Sequence, residues 1–129
     1  MRKEDLGRIH AYLGGIIKGM GSNPIQIGGV ENHVHILATL PKTMALSDYV
    51  RTIKAESSHW IKGLGEWYRM FSWQEGYGAF SVSSSVVPAT VSYICGQEEH
   101  HRKVTFAEEY KRFLEAYNMD YDERYIESD

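Results

Sequence analysis

A single cysteine, Cys95, in 129 residues excludes an internal disulfide, and no apolar run approaches the length of a membrane span or a signal-peptide core. The default expectation is a cytoplasmic protein with no membrane partner. Positive charge is scarce too: the formal net charge is -3, which argues against a chain whose overall field attracts nucleic acid. The deficit is concentrated in residues 120–129, which hold five of the 17 acidic residues and one of the 14 basic ones, leaving 12 and 13 elsewhere. Any nucleic-acid surface must therefore be local. Repeats, linkers and low-complexity stretches are missing as well. The length suits one domain, 1–129 with an acidic tail at about 120–129, able to remove about two thirds of its unfolded surface from water.

Periodicity supplies a coarse order of elements. Leu6, Ile9, Leu13, Ile16, Ile17 and Met20 recur at three- and four-residue intervals, predicting a helix from about Glu4 until Gly21 stops it. A short strand near Ile25 to Gly28 and a turn through Gly29 to Asn32 lead into a strand carrying His33 and His35, ended by Pro41. Val50, Ile53, Ser57, Trp60, Ile61 and Leu64 define a second helical face, with Ser47 as its cap and Gly63 and Gly65 closing it. Phe80 and Val82 alternate with polar residues as in a third strand, and Pro88 opens a third helix. Thr105-Phe106-Ala107-Glu108 reads as the capping box of a fourth. Strands and helices mixed without regular crossover units imply an α+β fold with an antiparallel sheet.

The chemistry-bearing residues are His33-Val34-His35 and, 58 residues after His35, Tyr93-Ile94-Cys95-Gly96-Gln97. In an extended segment His33 and His35 share one face while Val34, Ile36 and Ala38 take the other, so the pair forms a two-imidazole clamp backed by apolar side chains. By itself such a pair is equally at home on a surface or in a satisfied core. On a helix the four-residue spacing of Tyr93 and Gln97 stacks them on one side, where an amide oxygen could complete a metal site beside a phenol oxygen. A metal-polarised phosphate and a phenolate together can break a phosphodiester through a covalent phosphotyrosine. On a helical wheel Tyr93, Gln97 and His100 fall within roughly 60°, while Val91, Ile94 and Cys95 cluster on the side expected to be buried.

Three blocks in order carry a family resemblance: Gly28-Gly29-Val30-Glu31-Asn32-His33-Val34-His35-Ile36-Leu37, Gly76-Tyr77-Gly78-Ala79-Phe80-Ser81-Val82 and Tyr93-Ile94-Cys95-Gly96-Gln97-Glu98-Glu99-His100-His101. The chain resembles the single-tyrosine HUH transposases of the smallest bacterial insertion sequences and the repeat-associated tyrosine transposases. The resemblance implies a ferredoxin-like or RRM-like sandwich. It also implies a metal-dependent nuclease and strand transferase acting on single-stranded DNA hairpins through a 5′-phosphotyrosine. His33, His35 and Gln97 match the family's metal ligands and Tyr93 its nucleophile, with Mg2+ or Mn2+ as the expected ion. The chain departs from the family in having only Met1-Arg2-Lys3 before the first helix, where a strand usually stands. A sheet lacking that strand keeps an open edge, from which a homodimer or larger assembly, or else a rearranged sheet that closes the gap, is expected.

Arg51, Lys54 and Arg69 lie among Trp60, Trp67 and Tyr68, the mixture of cations and rings that binds single-stranded DNA, and His100 is a further candidate phosphate contact. Solvated lysines and core tryptophans account for the same pattern. Two other functions fit parts of the sequence. One is a non-catalytic DNA-hairpin-binding remnant or domesticated relative. The other is an unrelated metal hydrolase; a histidine-triad nucleotide hydrolase needs a third alternating histidine where Leu37 stands.

Overall fold

The computed structural model describes residues 1–96. The chain divides into two compact units, Met1–Gln74 and Glu75–Asp129.

In the first unit a short 3-10 turn leads into helix α1, Leu6–Gly19, followed by strands β1, Pro24–Val30, and β2, His33–Ala38, and helix α2, Leu46–Lys62. The apolar spacing of α1 buries Ile9, Leu13, Ile16 and Ile17, each contributing about 1.5–3 kcal/mol of transfer free energy. Gly21, at φ 81, ends the helix: its N–H donates to Lys18 O at 3.0 Å and the N–H of Ser22 to Ile17 O at 3.2 Å. This pair of bonds satisfies carbonyls that the helix end would otherwise orphan. Helix α2 buries Tyr49, Ile53, Ser57 and Ile61. Its N-cap is Ala45, without a side-chain hydrogen bond, and Ser47 lies inside the first turn, contrary to the expected cap. Asp48 in that turn supplies the favourable charge at the helix N-terminus instead.

The two strands are antiparallel, and β1 continues two residues past the expected Gly28, leaving Glu31 and Asn32 as a tight turn. Ile27 pairs with Ile36 and Gly29 with Val34, while Gly28 pairs with His35 and Val30 with His33. One face therefore carries Ile27, Val34, Ile36 and Ala38, all packed against the core of α1 and α2. The opposite face carries Val30, His33 and Leu37, which are also buried. Among the described residues the sheet has these two strands, so the fold is α+β and corresponds to part of a ferredoxin-like sandwich.

The segment after α2 folds back over it. Tyr68 is buried, accepting the Arg2 N–H at 2.7 Å and donating to Asp5 at 2.8 Å, and the Trp73 indole donates to Ser57 at 2.9 Å. Ser57 in turn donates to Ile53 O, so the one polar group in the middle of α2's buried face is fully engaged.

In the second unit Gly76 adopts φ 81, as a tight turn requires. The strand expected at Phe80 and Val82 does not form among the described residues. Alternation sets which way side chains point, but a strand is defined by a regular ladder of backbone bonds, which alternation alone does not supply. Helix α3 spans Val87–Cys95 with Pro88 in its first turn, as expected from proline's fixed φ and missing N–H. The helix expected from Thr105 and the acidic tail lie outside the described residues.

Candidate metal centre

The histidine pair is built by the hairpin. Strand alternation puts His33 and His35 on the same face of β2, with ring centroids 5.1 Å apart and the planes at 74°. Two imidazoles bound to one ion through nitrogens at about 2.1 Å would set their centroids roughly 4.5–5.2 Å apart for bond angles near 90–109°. The observed centroid separation lies within that range. Glycine at position 28 contributes to this, because the residue paired across from His35 carries no side chain to crowd the site.

Asn32 contributes a feature that the sequence motif alone does not disclose. Its Oδ1 lies 2.7 Å from His33 Nδ1. A carbonyl oxygen can only accept, so in this contact Nδ1 is the donor, and in the neutral ring the lone pair is then on Nε2. That is the tautomer a metal-binding imidazole needs, fixed by the kind of outer partner that orients such ligands. The Nε2 atoms of both histidines are buried, and 8 % exposure leaves His33 well inside the protein. Among the described residues no group of three or more His, Cys, Asp or Glu side chains gathers to hold an ion. A further ligand of another type is required for a closed site. Gln97, the expected third ligand, lies outside the described residues, as does His100.

Tyr93 lies in the last turn of α3, its hydroxyl oxygen buried. The buried stripe of that helix is Thr90 and Ile94, one turn apart. Cys95, expected on the buried side, is exposed: it is the last helical residue, capped by Gly96, where helix packing no longer dictates burial. Tyr93 belongs to one compact unit and the histidines to the other.

The expected DNA-binding cations are less uniform. Arg51 pairs with Asp48 one turn away on α2, and the Lys54 ammonium donates to Gln74 O at 2.8 Å. Arg69 is exposed and makes no ion pair among the described residues. The aromatics also separate. Trp60 stacks on Tyr12 at 4.2 Å and Tyr68 is buried, whereas Trp67 is largely exposed beneath the guanidinium of Arg2.

The described residues thus combine a paired-imidazole hairpin in an α+β frame with a later helix that bears a tyrosine. The chain belongs to the IS200-like transposases: the family described as Transposase IS200 like matches residues 1–97, which contain His33, His35, Tyr93 and Gln97. This is the single-tyrosine HUH transposase family, whose members act on DNA and are generally metal-dependent. No curated protein and no solved structure matches the chain. Among the described residues no helix is long and apolar enough to cross a membrane.

Proposed function

We propose that the chain is a metal-dependent transposase and nuclease that cleaves and rejoins single-stranded DNA at hairpin-containing ends, working as one cytoplasmic domain in a homodimer. The observation that carries this reading is the His33–His35 pair with its tautomer set by Asn32. Those two imidazoles and the Gln97 amide oxygen would hold Mg2+ or Mn2+. The bound ion would supply charge stabilisation at the phosphate under attack and at the leaving oxygen. Tyr93 Oη attacks phosphorus and gives up its proton. The bond from phosphorus to the 3′ oxygen breaks, leaving a 3′-hydroxyl and a phosphotyrosine on the 5′ side. One phosphodiester is exchanged for another, so attack by a 3′-hydroxyl on the phosphotyrosine reverses the step and rejoins a strand. Arg51, Lys54, Arg69 and His100 are the candidate phosphate contacts.

Incubation with a labelled hairpin oligonucleotide and Mn2+ should produce a protein-DNA adduct that survives denaturation. Tyr93→Phe should abolish the adduct while the hairpin is still retarded on a native gel. An adduct that persists in this variant would remove Tyr93 from the mechanism; hairpin binding without any adduct in the parent chain would leave a hairpin-binding protein.

A further inference from the structure

Of the three tryptophans, Trp67 alone presents most of its ring to solvent. It is 69 % exposed, and Met70, three residues on, is 84 % exposed. Trp60 is covered by Tyr12 and Trp73 is bonded to Ser57. An indole left this open sacrifices much of the burial that usually holds such residues inside, yet its backbone is held firmly. The next residue, Tyr68, is buried and bonded to both Arg2 and Asp5. The Arg2 guanidinium lies over the Trp67 ring, 4.9 Å from its centroid, so one face of the indole is occupied and the other is available. Arg2 also approaches Glu4 at 3.8 Å, an exposed pair of a kind that holds its partners only loosely. Arg69, on the same short segment, is exposed and makes no ion pair among the described residues.

The position of this surface connects it to the candidate metal centre. The amino group of Met1 donates to Glu31 O at 2.8 Å, two residues before His33, and the adjacent Arg2 reaches Trp67. A chain of contacts thus runs from the exposed ring through Arg2 and Met1 to the turn that precedes His33.

We propose that Trp67 is a stacking platform for an unpaired base of the DNA strand, with Met70 widening the apolar shelf and Arg2 and Arg69 contacting the flanking phosphates. The proposal rests on the single-stranded DNA reading given above and identifies residues that would grip the strand. A rigid ring with one face covered by a guanidinium suits a base, which brings a flat π surface and an adjoining negative charge together. A protein partner would match the apolar shelf but not the pair of arginines around it.

The test uses the full chain and two probes, a single-stranded oligothymidine and an all-abasic deoxyribose-phosphate chain of the same length, with binding followed by anisotropy. Trp67→Ala should weaken oligothymidine binding by about 5- to 150-fold, the range for loss of one base-aromatic stack, and leave binding of the abasic chain unchanged. Trp67→Phe should retain most of the affinity and lose the quenching of tryptophan emission that oligothymidine produces in the parent chain. Equal weakening for both probes would overturn the stacking role. Unchanged oligothymidine affinity in Trp67→Ala would overturn it too, and if that variant also lost self-association the surface would be a protein contact. Failure of the parent chain to bind single-stranded DNA at all would refute the proposed function and this inference with it.

Discussion

Single side chains carry more information here than their residue types suggest. His10, on α1, has its Nε2 buried and without a hydrogen-bond partner among the described residues, and burial lowers its pKa from the ordinary 6.5. Burial disfavours the charged imidazole in the folded chain, so the ring accepts a proton more readily when unfolded. Its contribution to stability is therefore present above pH 6.5 and is lost as the pH falls through the lower folded value. His10→Leu should remove that loss. No hydrogen bond is forfeited, so the variant is expected to lie within about 1.5 kcal/mol of the parent at pH 8. Urea unfolding of both proteins between pH 5 and 8 measures the difference, since every other histidine is common to the two. Parallel curves would show that His10 does not contribute to the acid sensitivity.

The hairpin of β1 and β2 is the element on which the candidate site depends, and Gly29 is its most constrained position. Its φ is 147, and an added Cβ would come within 2.3 Å of His33 O and 2.9 Å of Val34 Cα. Both atoms are backbone, so the strands themselves would have to separate. Gly29→Ala is therefore expected to cost at least about 1–3 kcal/mol and to disturb His33 along with the fold. A folded variant with normal metal affinity, read by calorimetric titration with Mn2+, would show that the hairpin tolerates the shift. In α2 and the segment after it, a different logic holds. Ser57, Trp73, Tyr68 and Asp5 form specific polar bonds within packed surroundings, which orient the loop that presents Trp67.

At the scale of the molecule, the metal reading makes a claim about stability that does not depend on catalysis. An ion bound by the folded hairpin and not by the unfolded chain should raise the unfolding free energy by about 2.7 kcal/mol at one hundred times its dissociation constant. Mn2+ should do this for the parent chain, and His33→Ala and His35→Ala should each lose most of the gain. Chemical denaturation with and without Mn2+ is the measurement. Equal stabilisation of all three proteins would place the ion elsewhere. Both units matter to the proposed reaction, because the histidines belong to Met1–Gln74 and Tyr93 to Glu75–Asp129.

The sequence by itself determined the elements with strong periodicity or punctuation. The apolar spacing of α1, the stop at Gly21, the alternation that pairs His33 with His35 and the opening of α3 at Pro88 are all local properties, dictated by backbone geometry and by which residues must leave water. The three motif blocks likewise led to the IS200-like transposase family. Only the tertiary structure decided what depends on partners distant in sequence. It paired Gly28 with His35, left Phe80 and Val82 outside any strand among the described residues, and set Asn32 Oδ1 against His33 Nδ1. It also sorted similar aromatics into different roles: Tyr12 covers Trp60, Ser57 holds Trp73, Asp5 and Arg2 anchor Tyr68, and Trp67 remains open. Periodicity reports which face of an element is apolar, but contact between elements decides which of those side chains finds a partner.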